Sequence, residues 1–235
     1  MSLTETALVP ADQHEGPTNT RLPFVLVLDI SSSMTDVEAD LNEVATVISL
    51  ELAAVPRIAQ AVELAIVTFS DNAFEHLPMG PPDLSQHVAP IRCGGSTNYT
   101  AAFELLDQLL AGEIGRFTAE GVKAHRPTVF FLTDGQPNTG GDWQQALAQL
   151  QARSYRPNLF AFGYGTTDPT VLQQVANVAG FQFGQGRPDR TTLIEFADKI
   201  VGTIIGSATT GELDPNLAIP KGATVLPPIQ IDTVN

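Results

Sequence analysis

The 235-residue sequence contains a single cysteine, Cys93, and few positive charges. One thiol excludes a disulfide within the chain and argues against a cysteine-based zinc or iron–sulfur site. Lys and Arg total 12 against 26 Asp and Glu, which gives a formal net charge of −14. A nucleic-acid binder needs a basic face for the phosphates, and a membrane-surface binder needs polybasic segments. The composition therefore argues against both nucleic acid and membrane as partners.

Long apolar stretches are missing as well. No run approaches the roughly 18 uncharged apolar residues of a membrane-spanning helix. Residues 1–20 are polar and include Glu5, Asp12 and Glu15, which is unlike a signal peptide. Hydrophobic residues still make up 43% of the chain and charged residues only 16%, so a sizeable core can be buried. We expect a soluble, cytoplasmic protein.

Short apolar runs alternate with amphipathic segments along most of the chain. Four of the runs show no polar alternation, which is typical of strands buried on both faces of a sheet. These runs are residues 23–29, 64–69, 128–133 and 158–163. Shorter strands are predicted at 73–77 and 181–183. Apolar residues three or four apart predict helices at about 36–54, 102–110, 142–150, 168–178 and 192–204.

This alternation predicts an α/β fold: a doubly wound, mostly parallel central sheet flanked by helices, with one short antiparallel edge strand. The domain is expected to span residues 22–205. Residues 1–21 are interpreted as a flexible N-terminal arm. Residues 206–235 are interpreted as an extended C-terminal tail, because four prolines there oppose a regular helix. Within the tail, residues 225–226 and 229–231 have the apolar character to pack on the domain or extend a sheet edge.

Oxygen-bearing side chains follow the buried strands. Asp29, Ser31 and Ser33 come after the first strand, and Asp134 comes after the strand at 128–133. Thr97 follows a glycine pair just before a predicted helix. Ligands of open parallel sheets bind outside the carboxyl ends of the strands, so these loops are expected to share one rim. Carboxylates and hydroxyls are hard donors that favour Mg²⁺, with Mn²⁺ or Ca²⁺ as alternatives.

The three fragments together resemble the metal-ion-dependent adhesion site of von Willebrand factor A domains. The fragments are Asp29-x-Ser31-x-Ser33, the Gly-Gly-rich loop with Thr97, and Thr133-Asp134-Gly135. The resemblance covers about residues 22–205, including the order of strands and helices. The chain departs from the family pattern in two places: Ser32 replaces a common glycine, and Ser96 separates the glycine pair from Thr97.

The resemblance implies a Rossmann-like domain whose ion is held by Ser31, Ser33 and Thr97, with Asp29 and Asp134 bound directly or through water. It also implies a non-catalytic module that presents Mg²⁺ to a carboxylate on a protein partner. At a finer level, the segment 132–137 followed by Asp142-Trp143 looks like the TerY-like bacterial proteins associated with tellurite resistance. Membership there implies a role in a bacterial stress-response assembly.

Two alternative functions remain open from the sequence. An Asp ending the first strand of a doubly wound sheet also fits a magnesium-dependent phosphotransferase or phosphatase of the haloacid-dehalogenase type. That chemistry requires a second acid two residues later as the general acid–base, and this position is Ser31. The second alternative is a structural scaffold whose ion is purely structural or absent.

Overall fold

Residues 20–138, 141–165, 167–184 and 189–227 are described by the structure, which is a computed structural model. The described residues form one sheet of eight strands, flanked by six helices and two short 3₁₀ helices. The strands are β1 (Thr20–Asp29), β2 (Val62–Phe69), β3 (Ala73–Gly80), β4 (Lys123–Ala124), β5 (Thr128–Thr133), β6 (Asn158–Gly163), β7 (Ala179–Gln182) and β8 (Thr224–Leu226).

The helices cover both faces of the sheet. They are α1 (Glu38–Ala53), α2 (Pro56–Ala61), α3 (Tyr99–Ala119), α4 (Trp143–Gln151), α5 (Pro169–Val175) and α6 (Arg190–Thr210). The 3₁₀ helices are Ser32–Val37 and Pro215–Ala218. Among the described helices, none combines the length and the apolar character needed to cross a bilayer.

The order of strands in the sheet is β3-β2-β1-β5-β6-β7-β8, and β4 pairs with β1 off this path. The pairs of β1 with β2, β1 with β5, β5 with β6 and β6 with β7 are parallel. The strand order reverses between β1 and β5, so the crossover helices before and after this point cover opposite faces. The predicted α/β class, with a doubly wound, mostly parallel sheet and an antiparallel edge strand β3, is confirmed.

Two apolar cores lie on the two faces of the sheet. Alternate residues of the same strand point to opposite cores, as Leu26 and Leu28 do against Val25 and Val27 in β1. One core contains residues of α1 and α6, and the other contains residues of α3, α4 and α5. Because both faces are covered, the central strands are apolar at almost every position, which explains the unalternating runs in the sequence.

The regular structure extends beyond both ends of the predicted domain. β1 begins at Thr20, inside the predicted arm, and α6 continues to Thr210, inside the predicted tail. The helix ends at Gly211, whose φ of 75° is left-handed and suits glycine. The apolar spacing stops before the last turn, which is why the sequence missed it. In that turn Thr209 Oγ1 donates a hydrogen bond of 2.7 Å to the carbonyl of Ile205.

The predicted tail also supplies a strand. β8 pairs antiparallel with β7 and places Val225 opposite Phe181, so residues 225–226 extend the sheet edge. This is the sheet-edge alternative that the sequence offered for residues 225–226. Residues 229–231, which the sequence offered as a second packing segment, lie outside the described residues, and so do residues 1–19 of the predicted arm.

Candidate metal centre

Asp29 is the last residue of β1 and is completely buried at the carboxyl end of the sheet. Its Oδ1 accepts a hydrogen bond of 2.8 Å from the backbone N–H of Ser31. Its Oδ2 accepts one of 2.6 Å from Thr133 Oγ1, at the end of the neighbouring strand β5. Two strands that meet in the sheet thus fix the orientation of this carboxyl group.

A chain of short oxygen contacts joins the loops after β1 and β5. Ser31 Oγ lies 3.1 Å from Ser33 Oγ. Ser33 Oγ in turn donates a hydrogen bond of 2.6 Å to Asp134 Oδ1, across 101 positions of sequence. The parallel register of β1 with β5 brings these loops to the same edge. Ser31 and Asp134 are buried, whereas Ser33 is exposed, so this series of oxygen contacts extends from the sheet to the surface.

Thr97 reaches the same place from the third loop. A Cβ added to Gly135 would lie 3.1 Å from Thr97 Oγ1 and 3.8 Å from Asp29 Oδ2. Gly135 therefore lies over both groups, and any side chain at this position would crowd the hydroxyl. The structure brings together Asp29, Ser31, Ser33, Thr97 and Asp134, the five residues proposed from the sequence as metal ligands.

Two residues that sequence reasoning missed hold the Thr97 loop. Asp71, in the turn between β2 and β3, accepts a hydrogen bond of 3.0 Å from the N–H of Ser96 and another from its hydroxyl. Asn138 accepts one of 3.0 Å from the N–H of Thr97, and its own backbone N–H donates one of 2.9 Å to the carbonyl of Thr97. Ser96 Oγ is engaged with Asp71, which leaves Thr97 as the hydroxyl that faces the site.

Thr133 and Tyr99 form a second layer beneath Asp29, also missed from the sequence. Tyr99 is 1% exposed, and its hydroxyl lies 3.2 Å from both Thr133 Oγ1 and the carbonyl oxygen of Gly135. The hydrogen bond from Tyr99 keeps Thr133 as a donor toward Asp29. The only sequence signal was the position of Thr133 directly before Asp134. Trp143 is also buried, and its ring lies edge-on to that of Tyr99.

Burial makes the charge on Asp29 costly. Desolvation raises the pKa of Asp29 from 3.8 to about 6, although hydrogen bonds from Ser31 and Thr133 pull it down. The neighbouring carboxylate of Asp134 makes a smaller contribution to this rise. Within the described residues no Lys, Arg or His forms an ion pair with Asp29. A cation at this rim would stabilise the ionised form of both carboxyl groups.

The donor set fits a small hard dication. Mg²⁺ takes oxygen ligands at about 2.0–2.1 Å in an octahedron, so adjacent ligand oxygens lie about 2.9 Å apart. The contacts of 3.1 Å and 2.6 Å between Ser31, Ser33 and Asp134 are close to that spacing. The described residues contain no group of three or more His, Cys, Asp or Glu side chains arranged for a metal. The candidate centre consists of hydroxyls and two carboxylates.

Cys93 lies near this rim but is not a natural member of the site. Its thiol is half-buried, and desolvation raises its pKa to about 12, with Glu38 as the next contributor. The N–H of Cys93 donates a hydrogen bond of 2.7 Å to Glu38 Oε2. A thiol that resists ionisation is a poor metal ligand at neutral pH, because the ligand form is the thiolate.

One family model matches most of the chain. The model of the von Willebrand factor type A domain matches residues 24–198 of the chain. No curated protein matches the sequence.

Solved structures share the fold at low sequence identity. Proximal thread matrix protein 1 from the mussel byssus has 20% identity and a TM-score of 0.59, over 79% of this chain and 48% of that one. A second structure of the mussel protein, described as having a zinc-occupied adhesion-site motif, has 19% identity and the same TM-score and coverage. A von Willebrand factor type A protein from Catenulispora acidiphila has 18% identity and a TM-score of 0.59, over 80% of this chain and 43% of its own. The chain spans about half the length of these proteins.

Proposed function

The chain belongs to the von Willebrand factor type A domain family, and we propose that it is a non-catalytic, metal-dependent protein-binding module. Its Mg²⁺ would be held by Ser31, Ser33 and Thr97, with Asp29 and Asp134 bound directly or through water. A bound Mg²⁺ would supply a positive centre for a carboxylate of the partner. The observation that supports this most is the continuous chain of oxygen contacts from Ser31 through Ser33 to Asp134.

The neutral hydroxyls matter to this proposal. Serine and threonine oxygens hold an ion without cancelling its charge, whereas each carboxylate removes one unit. Asp29 has both of its oxygens occupied by protein donors, Ser31 N and Thr133 Oγ1. This favours contact between Asp29 and the ion through water, which leaves the ion strongly positive toward an external carboxylate. Magnesium commonly retains water in its shell, so a partner oxygen can replace one.

The choice of ion is a separate part of the proposal. Titration calorimetry with Mg²⁺, Mn²⁺, Ca²⁺ and Zn²⁺ should give measurable binding for Mg²⁺ that is lost in Asp134→Ala. Zn²⁺ is included because one structure of the mussel protein is described with zinc in this motif. Binding of Zn²⁺ alone would overturn the choice of Mg²⁺ while leaving the site in place.

The protein-binding role is tested by affinity isolation with quantitative mass spectrometry. The immobilised chain should retain partners in Mg²⁺ that are lost in EDTA and lost with Asp134→Ala. The matched control is Asp198→Ala, which removes an exposed carboxylate on α6, away from the rim. Partners that persist in EDTA and in Asp134→Ala would sink the proposal. If metal raises the melting temperature but leaves partner binding unchanged, the scaffold alternative is correct.

The geometry gives little support to the phosphatase alternative. That chemistry requires a carboxylic acid at position 31. This chain has a serine there, and its Oγ faces Ser33 Oγ. Proteins of that type also have a lysine at the end of a strand; Lys123, one of the three lysines of this chain, lies instead at the amino-terminal end of the sheet, where it pairs in register with Thr20. Turnover of an aryl phosphate in Mg²⁺ that disappears in Asp29→Asn would restore this alternative.

The biological setting is also proposed. We place the module in the bacterial cytoplasm, in a stress-response assembly of the tellurite-resistance type, on the likeness of segment 132–137 and Asp142-Trp143 to TerY-like proteins. Deleting the gene should then raise sensitivity to tellurite, and the wild-type chain but not Asp134→Ala should restore resistance. Equal sensitivity of the deletion strain and its parent would remove this setting without affecting the metal site.

A further inference from the structure

Two hollows lie at the amino-terminal end of the sheet, opposite the metal rim. The larger has a volume of about 360 Å³ and lies between the last turns of α3 and the segments that enter β5 and β6. The smaller, of about 130 Å³, lies between the start of β1 and the end of α6. His125 and Arg126 line both hollows, so these two residues form a ridge between them.

The larger hollow has an apolar floor. Ile114, Phe117 and Val122 line it, and Phe117 is almost fully buried. Tyr155 contributes its ring, because its hydroxyl is already held 3.1 Å from Asp107 Oδ1. The volume is about ten times the roughly 30 Å³ that a water molecule occupies in the liquid. A single aliphatic or aromatic side chain of a ligand therefore fits there.

Positive charge surrounds the ridge. Lys123, Arg126 and Arg156 are all exposed, and in the described part of the chain no carboxylate lies within ion-pairing distance of them. Thr128 pairs with Asn158 at the start of β5 and β6, and Arg126 and Arg156 lie two positions before these residues in the segments that enter the two neighbouring strands.

This charge is unusual for the molecule. The chain carries a net charge of −14, and several other arginines are held in ion pairs. Those arginines are Arg21, Arg92, Arg116, Arg153 and Arg190. In the smaller hollow the carboxylate of Glu212 balances the charge of Arg126, so the excess of positive charge lies outside it, at Lys123 and Arg156.

We propose that this end of the sheet is a second docking site, independent of metal, for an acidic peptide segment of a protein partner. An apolar side chain of the peptide occupies the larger hollow. Flanking carboxylates pair with Arg126 and Arg156. Charge complementarity selects an acidic partner, because Lys123, Arg126 and Arg156 have no carboxylate within ion-pairing distance in the described residues.

Fluorescence anisotropy in EDTA tests the site with three labelled peptides. The probe is Glu-Asp-Asp-Phe-Asp-Glu; one control replaces Phe by Ser, and the other replaces every acidic residue by Lys. We expect the probe to bind at least tenfold more tightly than either control and to weaken as salt is added. Equal binding of the Ser peptide would reduce the site to general charge attraction and overturn the proposal. Absence of binding by the probe would overturn it as well.

Variants locate the binding on the chain. The pair Arg126→Glu with Arg156→Glu should lower the affinity of the probe at least tenfold. The matched control, Lys199→Glu with Lys221→Glu, makes the same charge change elsewhere on the surface and should leave affinity within twofold. Circular dichroism checks that each variant is folded. An equal loss in the control pair, or probe binding that requires Mg²⁺, would contradict a distinct site at this end.

Discussion

Replacing Thr133 by Val tests whether the layer beneath Asp29 controls the metal site. Valine has nearly the same shape as threonine but cannot donate the hydrogen bond of 2.6 Å to Asp29 Oδ2. A hydrogen bond to a charged group contributes about 1.5–3 kcal/mol. Its loss should raise the pKa of Asp29 further above the value of about 6 that burial already produces. At pH 7 a proton then competes with the ion for this carboxyl group.

The expected result is a loss of Mg²⁺ affinity of about 10- to 100-fold at pH 7, the range usual for groups that orient metal ligands. Titration calorimetry measures it directly. The loss should shrink as the pH is raised to about 8.5, because Asp29 is then ionised in the variant as well. Thr133→Ser restores the hydroxyl and should recover most of the affinity.

Thr128→Val is the matched control for this experiment. Thr128 is buried in the same strand at its opposite end, and its hydroxyl accepts only a long contact of 3.4 Å from Asn158 Nδ2. The control should bind Mg²⁺ within about twofold of the wild type. If Thr133→Val binds the ion as tightly as the control at pH 7, the hydroxyl under Asp29 has no part in the site.

Three further predictions follow from the same geometry. Asp71→Ala should weaken Mg²⁺ binding about tenfold in calorimetry, because the Thr97 loop loses the hydrogen bonds that hold it. The control Asp83→Ala removes a carboxylate that accepts a similar hydrogen bond in another exposed turn, and it should leave Mg²⁺ binding unchanged. In EDTA, the wild type should lose about 2.4 kcal/mol of unfolding free energy relative to Asp29→Asn between pH 4 and 7, because the pKa of Asp29 is 3.8 in the unfolded chain and about 6 in the folded one, so protonation favours the folded state. Urea unfolding at each pH measures this loss, and a difference that does not change with pH would contradict it. Association of an acidic partner with the metal rim should quicken from 50 to 300 mM salt in stopped-flow, because salt screens repulsion by a chain of net charge −14.

The order of elements was readable from the sequence because the strands are buried on both faces. An unalternating run such as 128–133, with helical periodicity before and after it, is typical of a central parallel strand. Local signals failed where tertiary contacts decide the structure. α2 has only six residues, too few for a periodic pattern, and the last turn of α6 is small and polar. The pairing of β8 with β7 depends on a neighbour far away in sequence.

The candidate site shows the same difference between local sequence signals and tertiary contacts. Its five proposed ligands lie in loops after strands or before a helix, where their spacing and residue types can be read from the sequence. Asp71, Asn138 and Thr133 act on other residues, and nothing in their local sequence shows which residue they touch. Asp71 contacts Ser96 across 25 positions, and Thr133 contacts Asp29 across 104. Such partners become visible only when the sheet places the loops together.

The charge of the molecule explains why an ion would matter to recognition at the rim. A chain with net charge −14 repels an acidic partner at long range, and the rim adds Asp29 and Asp134 to that repulsion. A dication held mainly by neutral hydroxyls reverses the sign of the field only within the few ångströms where a partner oxygen can coordinate. Affinity would then depend on direct contact with the ion, so acidic molecules that cannot reach the rim are excluded. The amino-terminal ridge would attract acidic partners without a metal ion, through its exposed basic side chains.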